Sequence, residues 1–191
     1  MKGEWCYFKS YISPQDCERI IETVLKRPAE EAKIGTNDGI QADNSFRRSN
    51  IRFVTRSDAD LNYLFDELWK LAIWANRDWF DVHISKLDYF QVAEYDSANT
   101  GEYKTHHDIF YMNGDPYYHR KLSCVIQLSD PDTYEGGDLT FSDITHYPNA
   151  DEMRQQGTVI FFPSFVRHAA LPVTKGMRYS VAAWFDGPKW R

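Results

Sequence analysis

Two segments within the first eighty residues place apolar side chains at the spacing of amphipathic helices. Ser13 followed by Pro14 is typical of an N-cap with proline at the first helical position, and apolar residues then recur every three or four positions. This pattern predicts a helix over residues 14–26. A leucine stripe with aromatic neighbours predicts a second helix over residues 58–76, with its apolar side packed on a sheet.

Elsewhere the pattern favours β structure. Residues 27–45 mix charge with glycine, asparagine and aspartate and predict a loop, whereas residues 50–56 alternate as a strand. After Asn76, short aromatic and β-branched segments are separated by turn residues. The predicted strands cover residues 84–95, 103–110, 121–128, 138–141, 157–162, 168–173 and 177–185.

Helices followed by a series of strands predict a mainly β, α+β protein, in which an antiparallel sandwich or open barrel carries helices on one face. No repeat or linker interrupts the chain, so we expect a single domain over residues 1–191. Within it, residues 1–80 would form a helical support and residues 81–191 the β core.

Composition and charge restrict the class of protein and the kinds of partner that we expect. The chain has 191 residues, 42% of them hydrophobic and 16% aromatic, which excludes a disordered or collagen-like protein. A net charge of -6 leaves no general cationic surface, so nucleic acid is a disfavoured partner. The densest basic stretch holds Arg47, Arg48, Arg52 and Arg56, and we interpret it as a solvated strand face or a set of ion-pair donors.

The cysteines and the apolar runs indicate the cellular compartment in which we expect the protein. Cys6, Cys17 and Cys124 are scattered without a CxxC motif, which favours a reduced, intracellular protein. The start of the sequence lacks the apolar core of a leader, and no apolar run approaches the roughly 20 residues that span a bilayer. We therefore expect a cytoplasmic protein with no membrane partner.

The segment from Tyr103 to Asp108 carries the strongest chemical signal. In an extended strand His106 and Asp108 project to the same side while His107 points away. His168 follows sixty residues after Asp108, after a Pro-Ser turn and at the start of another strand. Two histidines and one carboxylate on facing strands form the facial triad that holds non-haem Fe(II) and leaves coordination positions open.

A buried cation is predicted beyond His168. In the strand over residues 177–185, Arg178 and Ser180 share one face of an otherwise apolar segment. A buried guanidinium is costly unless an anion pairs with it, preferably a carboxylate held by two parallel hydrogen bonds. An anionic ligand near the metal would meet this need; the alternative is an acidic residue of the chain itself.

Taken in order, these motifs resemble the Fe(II)- and 2-oxoglutarate-dependent dioxygenase superfamily, in its prolyl 4-hydroxylase-like branch of small bacterial and phage enzymes. The resemblance covers about residues 84–188, roughly half of the chain. It rests on the triad and Arg178-x-Ser180, and on the segments Tyr95 to Asp108, Arg120 to Ser123, Tyr134-x-Gly136-Gly137-x-Leu139 and Phe161 to Ser164. The fold that it implies is a double-stranded β-helix, or jelly roll, supported by N-terminal helices.

The resemblance also implies roles for individual residues. His106, Asp108 and His168 would hold the iron, and Arg178, assisted by Ser180, would bind the distal carboxylate of 2-oxoglutarate. Relatives of the collagen type often have lysine in place of this arginine, and either cation can serve.

Three further residues are candidates for the same pocket. Tyr95 and Tyr103 match tyrosines that line the cosubstrate or substrate pocket in such enzymes, although the odd spacing of Tyr103 from His106 would turn it away in a regular strand. Gln127, a polar residue among apolar neighbours, either faces the pocket or is hydrogen-bonded at an edge strand.

The remaining histidines and glycines receive structural interpretations. His107 is the rival of His106, and His83, His119 and His146 suit surface or hydrogen-bonded roles. Gly136-Gly137 lies in a hairpin and is a turn element. The loop over residues 111–120 is a candidate lid over the substrate, with tyrosines suited to stacking on a prolyl ring.

The activity implied by the resemblance is hydroxylation of peptidyl proline, with Fe(II), 2-oxoglutarate and O2 as cofactor and cosubstrates, ascorbate as a reductant, and succinate and CO2 as products. Three alternatives stay open. The substrate could be another amino acid or a small metabolite, the chain could be a non-catalytic jelly-roll module that binds a metal or an organic anion, or it could demethylate nucleic acid, which the acidic balance disfavours.

Overall fold

A computed structural model describes residues 1–36, 39–109 and 117–190 of the chain. Its strands are β1 (Cys6–Phe8), β2 (Glu30–Glu31), β3 (Ile34–Thr36), β4 (Gly39–Gln41), β5 (Arg47–Arg48), β6 (Asn50–Thr55), β7 (Tyr89–Asp96), β8 (Glu102–His106), β9 (Tyr118–Gln127), β10 (Tyr134–Gly136), β11 (Leu139–Ser142), β12 (Val159–Pro163), β13 (Arg167–Ala170) and β14 (Val173–Pro188). The helices are α1 (Pro14–Leu25), α2 (Tyr63–Ala75) and α3 (Ala150–Arg154).

The strands form two main antiparallel sheets. The larger has eight strands in the order β1-β12-β9-β14-β7-β6-β2, with β10 paired to β14 beside this path. The smaller has the order β11-β13-β8-β5, and β3 and β4 form a separate hairpin. Side chains of the two main sheets pack in shared clusters, so the sheets face each other as the layers of a sandwich. The predicted mainly β fold is confirmed.

The two long helices begin where side chains supply caps or turns. The Ser13 hydroxyl accepts a hydrogen bond from the Asp16 N–H (3.1 Å), as predicted for the start of α1. The start predicted for the second helix is five residues too early. There the Asp58 carboxylate accepts from the N–H groups of Asp60 (3.2 Å) and Leu61 (3.1 Å), and this turn precedes α2.

The N-terminal part contributes strands as well as helices, and the strand predicted over residues 50–56 corresponds to β6. The predicted loop over residues 27–45 contains β2, β3 and β4. Three N-terminal strands extend the large sheet, because β1 pairs with β12, β6 with β7, and β2 with β6. Strands of two or three residues are too short for an alternating pattern to reveal them.

The large sheet is buried on both faces, and the faces differ. On β14, the side chains of Val181, Ala183 and Phe185 join the apolar cluster under α1 and α2. The alternate positions of the same strand hold Arg178 and Ser180, which are buried towards the small sheet. The helices therefore cover one face of the large sheet, and the other face is available to position a site.

Cys6, Cys17 and Cys124 are unpaired and buried, and burial raises the pKa of the Cys6 thiol to about 12.

Within the described residues, no helix combines the length and the apolar character needed to cross a membrane.

Candidate active site

His106, Asp108 and His168 converge on one point between the two sheets. His106 ends β8 and pairs across the small sheet with His168 on β13. The Nε2 atoms of His106 and His168 each lie 3.6 Å from an oxygen of Asp108. One nitrogen or oxygen atom from each of the three side chains lies within 4.8 Å of the others. These are donor atoms suited to a divalent metal such as iron.

Asp108 reaches this point differently from the prediction. The strand predicted over residues 103–110 ends at His106, so regular alternation does not orient Asp108. Instead its N–H donates to the carbonyl of Ser164 (2.8 Å) in the turn before β13. The Ser123 hydroxyl on β9 donates to Asp108 Oδ2 (2.6 Å). Asp108 is therefore fixed between the turn and the large sheet.

Both histidines are held in one tautomer. The Nδ1 atom of His106 is 2.7 Å from the carbonyl oxygen of Lys104, and that of His168 is 3.0 Å from the carbonyl oxygen of Val166. A carbonyl only accepts, so each Nδ1 carries the proton and each Nε2 presents a lone pair to the centre. Burial, reinforced by His168, lowers the pKa of His106 to about 3, so its imidazole is neutral.

Asp108 stays ionised in spite of its burial. Burial alone would raise the pKa of this carboxyl, but the neighbouring imidazoles of His168 and His106, the Arg120 guanidinium and the Ser123 hydroxyl together outweigh it and lower the pKa. The centre thus offers two imidazole nitrogen donors and one anionic oxygen donor.

Tyr103 lies against His106, which corrects the expectation from its spacing. Their rings stack with centroids 3.5 Å apart and planes 15° apart. His168 pairs with His106 but Ala170 pairs with Tyr103, so β8 carries one extra residue between the two pairs. This β-bulge restores Tyr103 to the His106 side. Burial also raises the pKa of the Tyr103 hydroxyl to about 12.

Arg178 is buried with an incomplete set of partners. It is 2% exposed, its Nη2 donates to Gln127 Oε1 (2.9 Å), and its Nε is buried without a partner. The guanidinium lies 5.2 Å from the centre of the Tyr95 ring. Within the parts of the chain that the structure describes, no carboxylate lies within ion-pair distance of Arg178. The alternative of an internal acidic partner is therefore not observed there.

Three neighbours shape the space around Arg178. Gln127 lies on a central strand of the large sheet and accepts the hydrogen bond from Arg178, so the edge-strand interpretation is wrong. Ser180 is buried on the same face of β14 and pairs in register with Gln127. Gly137 forms part of the predicted turn, and a Cβ at this position would lie 2.9 Å from Arg178 Cδ. Gly137 thus also provides room for the arginine.

Other sequence candidates lie apart from the convergence point. His107, the rival ligand, is exposed and is not among the three residues whose donor atoms meet. His83 and His146 are exposed, and His119 is partly buried. Most of the candidate lid, residues 111–116, lies outside the described residues.

Several residues of the site were not predicted from the sequence. Ser123 bonds to Asp108, and Ser164 lies 3.0 Å from the Ser123 hydroxyl. Arg120 lies with its guanidinium 3.9 Å from the centre of the Trp184 ring and donates to the hydroxyl of Tyr89 (2.9 Å). The available signal was alternation on β9, where Ser123 and Gln127 occupy the face opposite the apolar cluster.

Residues 90–186 match the family model described as the 2OG-Fe(II) oxygenase superfamily. The chain belongs to this superfamily. The resemblance inferred from the sequence is thereby confirmed, and the sandwich of this oxygenase-family chain corresponds to the predicted jelly roll.

Curated relatives carry the name PKHD-type hydroxylase. One, from Aliarcobacter butzleri, is 30% identical over 156 residues, which cover 78% of this chain and 63% of the relative. Another, from Xylella fastidiosa, is 40% identical over 63 residues, or 33% of this chain and 26% of the relative. This oxygenase-family chain thus spans less than two thirds of the length of these relatives.

Solved structures of prolyl hydroxylases share the fold. A Pseudomonas putida prolyl-4-hydroxylase superposes with a TM-score of 0.71 at 17% identity, covering 96% of this chain and 92% of that protein. A prolyl hydroxylase from Trichoplax adhaerens, in complex with a hypoxia inducible factor peptide fragment, gives a TM-score of 0.74 at 16% identity, with coverage of 96% and 83%. This oxygenase-family chain therefore has the same fold as these two prolyl hydroxylases.

Proposed function

We propose that the protein is an Fe(II)- and 2-oxoglutarate-dependent hydroxylase in which His106, Asp108 and His168 hold the iron. The observation that carries this proposal is the convergence of three donor atoms within 4.8 Å, with both Nδ1 atoms engaged by carbonyls. Three protein donors leave coordination positions open for a cosubstrate, whereas a structural zinc site is closed by four.

Arg178 is the proposed partner of the distal carboxylate of 2-oxoglutarate. Its buried Nε has no partner, and a carboxylate would satisfy this donor together with a second N–H of the same guanidinium. The hydrogen bond from Nη2 to Gln127 fixes the plane of the guanidinium. Ser180 and Tyr95 line the same space and would limit the orientations of the bound dicarboxylate.

In the proposed reaction the bound iron and cosubstrates supply the reactivity, and the residues of the chain position them. When bound, the iron couples conversion of 2-oxoglutarate and O2 into succinate and CO2 to insertion of the second oxygen atom into a substrate C–H bond. The chain supplies orientation: the Lys104 and Val166 carbonyls aim the two Nε2 atoms, and Ser123 directs one lone pair of Asp108. The Tyr103 ring covers His106 and excludes water from that side.

Peptidyl proline is the proposed substrate, with 4-hydroxyproline as product. The names of the PKHD-type relatives and the fold shared with prolyl hydroxylases, one of them in complex with a peptide, support this proposal. Incubation with a library of proline-containing peptides and 2-oxoglutarate is expected to add one oxygen atom to a proline, located by mass spectrometry. Modification of another residue or of a free metabolite would favour the alternative substrates instead.

An anaerobic titration tests the metal and cosubstrate site directly. Addition of 2-oxoglutarate to the Fe(II)-loaded protein is expected to produce a weak visible charge-transfer band. His168→Ala should lose the band and His107→Ala should keep it, because only His168 contributes to the convergent donor set. Absence of the band in the unmodified protein would favour a non-catalytic binding module.

Ascorbate and the cytoplasmic location stay predictions with separate tests. If ascorbate acts as reductant, it should restore succinate formation that declines during repeated turnover. Fractionation of the source cells would test the compartment. Neither result bears on the identity of the metal ligands.

A further inference from the structure

One arginine of the basic stretch behaves unlike the other three. The sequence predicted either a solvated strand face or a set of ion-pair donors there, and three of the four residues form ion pairs. The pairs are Arg48–Glu102 (2.7 Å), Arg52–Glu94 (3.0 Å) and Arg56–Asp66 (3.0 Å). Within the described ranges of the chain, no carboxylate lies within 4.0 Å of the Arg47 guanidinium. Arg47 therefore requires a different explanation.

Arg47 is buried with an unused donor. It is 5% exposed, and its Nε donates to the hydroxyl of Ser49 (2.9 Å). Its Nη2 is buried and has no hydrogen-bond partner. A buried guanidinium with an unsatisfied N–H destabilises a protein unless a ligand supplies the acceptor. Arg178 shows the same combination of one neutral partner and one unsatisfied nitrogen.

The position of Arg47 connects it to the metal centre. In the small sheet Arg47 pairs in register with Tyr103, and its guanidinium lies 4.4 Å from the centre of the Tyr103 ring. The same ring stacks on His106 at 3.5 Å. One aromatic ring thus separates Arg47 from a proposed iron ligand. This places the unsatisfied donor on the small-sheet side of the site, whereas Arg178 lies on the large sheet.

We propose that Arg47 is a second anion subsite and binds a carboxylate of the primary substrate. The proposal rests on the proposed function, in which Arg178 engages the distal carboxylate of 2-oxoglutarate. A planar fork enclosed to this degree suits a single flat carboxylate, which it can bind through two parallel hydrogen bonds. The net charge of -6 argues against a polyanion such as nucleic acid as its source. The favoured substrates are therefore amino acids or peptides that present a carboxylate beside the modified residue.

Matched acid and amide probes test this subsite by binding alone. The protein is loaded with Mn(II) and saturating 2-oxoglutarate, and three pairs are titrated by calorimetry: the N-acetyl derivatives of proline, leucine and glutamine, each as free acid and as carboxamide. In at least one pair the acid is expected to bind about tenfold or more tightly than its amide, because a hydrogen bond to a charged group is worth more than a neutral one. No preference in any pair would overturn the proposal.

Two variants assign the preference to Arg47, and a third is a control. Arg47→Gln should reduce the acid-to-amide ratio to about one, and Arg47→Lys, which keeps the charge but loses the fork, should leave an intermediate ratio. Arg48→Gln removes the same charge at the next position and should keep the full ratio. A ratio that persists in both Arg47 variants, or a loss of 2-oxoglutarate affinity in them, would overturn the assignment.

Different results would disprove the proposed hydroxylase function and the proposed Arg47 subsite. If the unmodified protein does not bind 2-oxoglutarate with Mn(II), the hydroxylase proposal is wrong whatever the probes do. If 2-oxoglutarate binds and acids show no advantage over amides, only the Arg47 subsite is wrong. Thermal unfolding of each variant without ligand identifies a variant that has failed to fold.

Discussion

The two faces of the large sheet hold different kinds of buried residue. Towards the helices the alternate positions of β14 are Val181, Ala183 and Phe185, each fully buried in one apolar cluster. Towards the small sheet the same strand places Arg178 and Ser180. The first face is stabilised by packing of apolar side chains, and the second holds a buried donor, Arg178 Nε, without a partner. Apolar packing and the proposed ligand binding thus lie on opposite sides of one strand.

This separation explains how the site can hold unsatisfied groups. Burial of apolar surface contributes about 25 cal/mol per Å², so the helix-covered face can offset the cost of an enclosed cation on the other face. The two faces should therefore respond differently to substitution. Changes on the helix-covered face should alter unfolding, and changes on the site face should alter binding of metal or cosubstrate.

Removal of a proposed metal ligand should give the largest effect. His168→Ala deletes one of three convergent donors, so succinate formation is expected to fall below detection and Mn(II) binding to be lost in calorimetry. His107→Ala should keep substantial turnover, because its exposed imidazole lies outside the donor set. Equal loss in both variants would contradict the ligand assignment.

A substitution that creates a cavity on the helix-covered face should give the next largest effect. It should lower stability and leave cosubstrate affinity nearly unchanged. Phe185 is fully buried and contacts the rings of Trp69 and Phe161, at centroid distances of 5.9 Å and 5.8 Å. Phe185→Ala should lower the free energy of unfolding by about 3–5 kcal/mol, measured by urea titration. The apparent affinity of the folded fraction for 2-oxoglutarate should stay within about twofold of the unmodified protein. A large change in that affinity would break the separation of the two faces.

Sequence patterns predicted one face better than the other. The apolar stripes of α1 and α2 and the strand alternation were sufficient to predict a helix-covered sheet, because hydrophobic periodicity directly reports burial. The convergence of His106, Asp108 and His168 was also predicted, since the motif and the order of strands restrict where these residues can meet. Short strands such as β2 and β5 were missed because two residues carry no period.

Local irregularities explain the remaining differences at the site. The bulge in β8 returns Tyr103 to the His106 side, and a register shift of one residue leaves no mark in the sequence. Ser123 is a single serine within an apolar strand, and only tertiary structure brings Asp108 to it. Arg47 resembles its three neighbours in sequence, and only the structure reveals that it lacks a carboxylate partner among the described residues.

Loss of the Arg178 guanidinium should weaken the cosubstrate without removing the metal. Arg178→Gln is expected to raise the apparent requirement for 2-oxoglutarate by about 10- to 100-fold, because charge-assisted hydrogen bonds are worth about 1.5–3 kcal/mol. The visible band formed with Fe(II) reports this shift, and Mn(II) affinity should be unchanged because Arg178 is not a metal ligand. An unchanged 2-oxoglutarate requirement would mean that another cation binds the distal carboxylate.

The smallest effect is expected at Ser123, whose hydroxyl lies on the site face and bonds to Asp108 Oδ2 (2.6 Å). Ser123→Ala keeps all three proposed ligands but removes the group that orients the carboxylate, so Mn(II) affinity should fall by about tenfold, as for other partners of metal ligands. Ser129→Ala is the matched control, because Ser129 is also buried and accepts from the Tyr179 N–H (2.7 Å) far from Asp108 in the chain. It should lower stability by about 1 kcal/mol and leave Mn(II) affinity intact. If both serines changed stability alone, the orienting role of Ser123 would be wrong, and the site face would resemble the helix-covered face at this position.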